Sequence, residues 1–229
     1  MSVSKNLYKV LNPYFKGLGF RKYGSCFYKI ENDIAFCVTP EFVSHVRVWC
    51  YILPLYMPFD IKYLTYGQYI EFVHRELQDL ICTQEEVSDK QASVWMERIA
   101  RVIEKEVFPL FERISSPELL LHYCSLPGYE HSSYLRLPHR SQKLYRLQGY
   151  TALYLGEKEI AQKAIESYRE STLSSPNTLS VYIERDLAEA AEMEKMLLSP
   201  DDERARRLQE ICAKTLYNCF TPKKRNTEK

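Results

Sequence analysis

Apolar residues at Leu7, Val10, Leu11, Tyr14, Phe15 and Leu18 recur three and four positions apart, which predicts an amphipathic helix with one buried face. Pro13 falls inside that pattern, so the helix kinks there or divides into two short pieces. Gly17 and Gly19 end it, where a left-handed cap costs glycine little. The period then shortens to two. "SCFYKI" (25–30), "IAFCV" (34–38) and "VRVWCYIL" (46–53) read as strands, the first two joined through Asn32-Asp33, a pair suited to a tight turn. In the third run Val46, Val48, Cys50 and Ile52 alternate with Arg47, Trp49, Tyr51 and Leu53. Both sets are substantially apolar, the mark of a central strand covered on both sides. Pro54 and Pro58 stop it.

From about residue 67 the spacing is helical again. Tyr69, Ile70, Val73, Leu77, Leu80 and Ile81 form one predicted helical face. Trp95, Ile99, Val102, Ile103, Leu110 and Phe111 form another, with Pro109 marking the frayed end of that helix. "SSPELLLHYCSL" opens with a serine cap and Pro117 in its first turn, a start signal. The polar, proline-containing stretch 127–141 then breaks the periodicity and reads as a junction loop. Beyond it, Gly149, Gly156 and Ala161 sit where two antiparallel helices would cross closely, with Leu153 and Ile165 filling the contact. Two more helices follow. Leu187, Ala190, Ala191 and Leu197 face inward in the first. The second starts at Ser199-Pro200 with acids in its first turn, and Leu208, Ile211, Cys212, Thr215, Leu216 and Cys219 make its apolar face. The expected fold is α+β: a short antiparallel sheet with packed helices over residues 1–113, an all-helical region with an αα-hairpin over 114–222, and a disordered polar tail, 223–229.

Composition narrows this picture only a little. Thirty-one Lys and Arg balance thirty Asp and Glu for a net charge of +1, so nothing draws the whole molecule to nucleic acid or an anionic membrane. The N-terminus lacks a signal-peptide core, and no apolar run approaches membrane-spanning length. The seven cysteines are odd in number and scattered among apolar neighbours, which suits reduced thiols and a cytoplasmic location. Eighteen tyrosines are the least ordinary feature, and tyrosine serves damp core edges and binding surfaces alike.

Candidate chemistry is sparse. Gly17, Gly19 and Gly24 lie after a helix and before a strand, the reverse of a phosphate-binding loop, so they turn the chain instead of holding an anion. No CxxC, HExxH or GxSxG motif occurs, and no metal or cofactor is expected. Asp60-x-Lys62 is two letters of a nuclease-like pair without partner acids. Two places could form a ligand site. One is the sheet face carrying Arg47, Trp49 and Tyr51. The other is the junction loop 128–140, with Tyr129, His131, Arg136 and His139. A local basic and aromatic face of Lys16, Arg21, Lys22, Tyr23 and Lys29 is the nucleic-acid alternative.

Leu18, Gly19, Phe20, Arg21, Lys22, Gly24, Phe27 and Tyr28 make a helix-ending Leu-Gly-Phe turn, a basic dipeptide and a strand with Phe-Tyr. In this, residues 5–110 resemble a bacterial family known as domain of unknown function 4304. The resemblance implies a small bacterial cytosolic α+β domain and supplies no catalytic residues. Gly149, Gly156 and Ala161 also have the spacing of a tetratricopeptide repeat, so residues 144–168 resemble one such helix pair, without a second copy. The functional expectation is a non-enzymatic protein-interaction module, immunity-like or regulatory, whose partner is another protein. Nucleic-acid binding is the weakest of the alternatives, after a small-ligand site or enzyme.

Overall fold

The computed structural model describes residues 3–42, 45–59, 70–81, 88–125, 140–174 and 180–220. Helix α1 (Val3–Gly17) runs continuously through Pro13 and buries Leu7, Leu11 and Phe15 completely. It ends in a Schellman cap: Phe20 N–H bonds Phe15 O at 2.9 Å and Gly19 N–H bonds Lys16 O at 3.1 Å, with Gly19 at φ +81°. Leu18, just past the helix, is exposed. Gly24 (φ +58°) then turns strand β1 (Arg21–Tyr23) into β2 (Cys26–Glu31). The glycine cluster is a pair of corners.

Asn32 and Asp33 both take positive φ (50° and 58°), the two-residue turn that matches strand twist, and lead into β3 (Ile34–Phe42). Strand β4 (His45–Pro54) and β5 (Ile70–Ile81) complete a five-stranded antiparallel sheet in sequence order. Pro40 pairs with Val48 beyond the reach of β2, whose ladder stops at Val38, so its missing N–H leaves no bond unmade.

Residues 70–81, read from spacing as a helix, are therefore a strand. Ladder irregularities lie between His45 and Val46 and between Cys50 and Tyr51. They place Ile70, Val73 and Leu77 opposite Ile52, Cys50 and Val46. An extra residue in a bulge turns a spacing of two into three, so the apolar positions of a bulged strand imitate a helix.

Helix α2 (Asp89–Val102) starts at a capping box between Ser88 and Gln91. It passes through one π turn (Ile103–Val107) into α3 (Phe108–Arg113). Pro109 is thus not a frayed end. The wider turn, with Phe108 N–H bonding Ile103 O, lets the helix continue past a residue that has no N–H to give. Five helices follow: α4 (Pro117–Ser125), α5 (Arg140–Leu155), α6 (Lys158–Leu173), α7 (Ser180–Leu198) and α8 (Asp201–Phe220). Helices α5 and α6 form the expected hairpin, turning at Gly156 (φ +79°). A Cβ on Gly149 would stand 2.3 Å from the Met193 methyl, the movable end of a flexible side chain, and in ordinary contact with Ile165 and Ala164. Gln142 ties the three helices together, donating to Thr172 and to buried Asp186.

One sheet face (Phe27, Ile34, Phe36, Val38, Val48, Cys50, Ile52) packs on α1, α2 and α3, and the same buried cluster continues through α5 and α6 to Leu208 of α8. The opposite face (Cys26, Tyr28, Ala35, Cys37, Tyr51, Leu53) is closed by Cys219 and Phe220 at the end of α8. Strand β4 is covered on both sides, as its alternation implies. Leu216, assigned to the inner face of α8, points outward at 41% exposure. Its neighbour Thr215 takes the inner position and donates to Met57 O at 2.9 Å.

Candidate functional site

After β4 the chain makes a turn, Pro54 to Met57, and continues irregularly to Phe59. This apolar run between and around two prolines is inserted among the helices. Tyr56 is fully buried and stacks on Tyr154, ring centroids 4.3 Å apart. Its hydroxyl lies 3.2 Å from Thr151 Oγ1. Thr151 gives its own proton to Leu147 O, so Tyr56 is the donor. The next two carbonyls are taken by the helices. Met57 O accepts from Thr215, and Pro58 O accepts from Arg146 Nη2 at 2.8 Å.

Arg146 does more than hold the loop. Its guanidinium forks onto Glu189 of α7, with Nε 2.9 Å from both carboxylate oxygens and Nη2 2.7 Å from Oε1. The two side chains are only 18% and 17% exposed. Tyr168 Oη adds a bond at 3.3 Å and Tyr150 another. Burial alone would raise the Glu189 carboxyl. The Arg146 charge and these hydrogen bonds outweigh it and hold the group below the usual carboxylate value.

Beside this cluster a groove of about 580 Å³ opens between α7 and α8, with Pro58 in its wall. Tyr150, Met196 and Ile211 supply apolar surface, and Glu192, Arg207, Glu210 and Lys214 supply charge. Most of that charge is already matched locally: Glu192 by Lys195, Arg207 by Glu203 at 2.7 Å, and Glu210 by Arg206 at 2.8 Å. Lys214 is the lining charge left without a partner among the described residues. On the other side of α8 lies a second hollow of about 570 Å³. There Tyr154 donates to Asp33 Oδ2 at 2.7 Å, and burial with the Asp33 charge pushes the Cys212 thiol up to about 12.

The proposed sheet-face residues fare differently from one another. Tyr51 is buried, donating to Cys26 Sγ at 3.3 Å, with Thr39 Oγ1 at 3.2 Å on its other side. Its hydroxyl pKa is raised far above normal by burial, then by Cys37 and Cys26. Cys26 is held below the usual thiol value by hydrogen bonds from Cys37, Tyr51 and Thr39, against its burial, while Cys37 is pushed up by burial. Trp49 is half-buried against the same layer, and Arg47 pairs in register with Glu41 and Glu76. Tyr51 thus works inside a packed layer. Tyr129, His131, Arg136 and His139, like Asp60 and Lys62, lie outside the described residues. Of the basic face, Lys22 Nζ sits 3.9 Å over the Tyr8 ring and Lys29 pairs with Glu31. Among the described residues no set of three His, Cys, Asp or Glu side chains is placed to hold a metal ion, and no helix is long and apolar enough to cross a membrane.

Sequence reasoning missed Arg146, Glu189 and Lys214. Arg146 and Tyr150 stand four apart on α5, as do Glu189 and Met193 on α7, but so do many charged and apolar pairs on any amphipathic helix. The usable signal was the run "LPLYMPF", too apolar for an exposed connection. Comparison of the chain with family models, curated proteins and solved structures finds no match.

Proposed function

We propose that the chain is a non-enzymatic, cytosolic protein-interaction module of the immunity-like or regulatory kind, and that the groove between α7 and α8 is its contact surface. The bacterial origin and family suggested by residues 18–28 belong to the same proposal. The observation that carries it is the groove's make-up. Tyr150, Met196 and Ile211 form an apolar floor inside a charged rim, the anatomy of an interface core. Glu192, Arg207 and Glu210 of the rim are each paired with a neighbour on their own helix, so at those positions a covering protein buries ion pairs instead of isolated ions. A second reading, small-ligand binding, rests on the hollow at Asp33, Tyr154 and Cys212.

The test is affinity purification from the native host with three full-length forms: wild type, Ala188→Arg in the groove, and Val94→Asp on the remote α2 surface. Ala188 and Val94 are both exposed, so neither change disturbs the core. A stoichiometric protein held at high salt by wild type and Val94→Asp but lost by Ala188→Arg supports the reading. A partner held equally by all three overturns the groove assignment. A small molecule co-purifying with the chain, and lost in a fourth full-length form, Tyr154→Ala, favours the second reading.

A further inference from the structure

Seven cysteines are scattered along the sequence, yet the fold gathers three of them, from three elements, into one buried layer. Cys26 of β2 and Cys37 of β3 share the second sheet face, and Cys219 of α8 closes over them, with Cys212 at the half-buried edge. The thiols are not equivalent. Cys26 Sγ accepts the Tyr51 hydroxyl proton at 3.3 Å and gives its own to Phe27 O, 3.5 Å away. Tyr51 reaches it from β4 across β3, with Thr39 Oγ1 at 3.2 Å steadying the hydroxyl. A hydroxyl donor aimed at sulfur favours the thiolate, which is the form that reacts. Hydrogen bonds from Cys37, Tyr51 and Thr39 accordingly hold Cys26 below the usual thiol value, whereas burial pushes Cys37 and Cys124 up.

The register says which thiol can pair with Cys26. Cys37 stands opposite Tyr28, two residues along from Cys26, so the two are diagonal neighbours. A ladder holds diagonal Cα atoms about 7–8 Å apart, beyond the reach of a disulfide. Cys37 is therefore a hydrogen-bond donor to Cys26 and not its covalent partner. Cys219 is under no such constraint, because it sits in the last turn of α8 and helix ends open at low cost. It is also near enough to feel the Cys26 charge, which together with burial raises its thiol to about 11.

We infer that Cys26 is a site of oxidation by hydroperoxides, and that Cys219 captures the oxidised sulfur in a reversible disulfide that pins the end of α8 to the sheet. The Cys26 sulfur attacks the peroxide. An S–O bond forms, the O–O bond breaks, and the departing oxygen takes the former thiol proton and leaves as water or an alcohol. Cys26 is thereby oxidised by two electrons to a sulfenic acid, and the peroxide is reduced. The Cys219 sulfur then attacks the Cys26 sulfur. An S–S bond forms, the S–OH bond breaks, and the hydroxide leaves as water with the Cys219 proton. Transient disulfides of this kind are the ones a reducing compartment permits. The inference is independent of the groove between α7 and α8.

The experiment treats reduced full-length protein with hydrogen peroxide, stops the reaction with an alkylating agent, and maps the cysteines by non-reducing peptide mass spectrometry. The expected product is a Cys26–Cys219 disulfide that dithiothreitol reverses. It should form before Cys212 is oxidised, although Cys212 is the more exposed thiol, because burial and the Asp33 charge raise Cys212 to about 12. Cys219→Ala should instead accumulate a Cys26 sulfenic acid that dimedone traps. Tyr51→Phe should slow the oxidation about tenfold by removing the donor to sulfur, whereas mere loosening of the layer would speed it. Oxidation that starts at Cys212, or that strikes the cysteines in no order, overturns the inference. So does a Cys26 that stays reduced or that pairs with any other cysteine, and so does faster oxidation in Tyr51→Phe. The wild-type map decides the site and its partner even where a variant fails to fold.

Discussion

One face of the sheet sets Phe27, Phe36 and Ile52 against Leu11, Phe15 and Ile99, from helices that flank the strands in sequence. Phe15 and Phe27 stack with centroids 4.0 Å apart, and Phe36 meets Phe111 at 4.9 Å. The other face sets Cys26, Tyr28, Cys37 and Tyr51 against the last turn of the last helix, where Phe220 stacks on Tyr28 at 4.2 Å. Hydrocarbon and local connections close the first. Thiols, hydroxyls and a long-range contact close the second. The helical half is therefore part of the sheet's own core: among the described residues, the second face is covered by the end of α8 together with Leu55 and Phe59.

The sharpest contrast comes from Phe15→Ala, which empties a fully buried aromatic site. A loss of about 4 kcal/mol in urea unfolding is expected, with all probes moving together. Next comes Arg146→Ala, which strands the Glu189 carboxylate and frees the Pro58 carbonyl, for about 3 kcal/mol. Phe220→Ala should cost less, about 2 kcal/mol, but act differently. It opens the second face locally, so that Cys26, Cys37 and Cys219 react with a thiol reagent under native conditions, whereas Phe15→Ala exposes them only through global unfolding. Equal thiol reactivity in the two variants would erase the distinction. Tyr51→Phe is the mildest, about 1 kcal/mol for its lost hydroxyl contacts to Cys26 and Thr39.

Acid should act through the Arg146 cluster. The folded pKa of Glu189 is depressed, so its contribution is complete above the ordinary carboxylate value of about 4.3 and is lost as pH falls through the folded value. Glu189→Gln should flatten that part of the acid limb in denaturant titrations between neutral pH and the onset of acid unfolding. An unchanged limb would mean that other carboxylates carry it.

The first face is also the one that can be read from the chain. Leu7, Leu11 and Phe15 repeat at helical spacing, Val48, Cys50 and Ile52 alternate, and both patterns come from a single regular element. The glycine-rich corner was legible for the same reason, because cap and turn are local. Strand β5 was not, since a bulge sets Ile70 and Val73 three apart and the regular interval of four from Val73 to Leu77 then completes a helical spacing. Pro109 misled in the opposite direction, because a π turn carries the helix through it. The groove depends on which exposed-looking acid of α7 meets which arginine of α5. Glu189 and Glu192 each follow an alanine on the same helix, and only packing makes one of them the buried partner of Arg146.

The most direct test of the groove as a contact surface is photo-crosslinking in the native host, with a photoreactive residue at Lys214 in one full-length form and at Glu97, on exposed α2, in another. The account expects one protein adduct in good yield from position 214 and none of the same mass from position 97. The same adduct from position 97 alone, or from both positions equally, would contradict it.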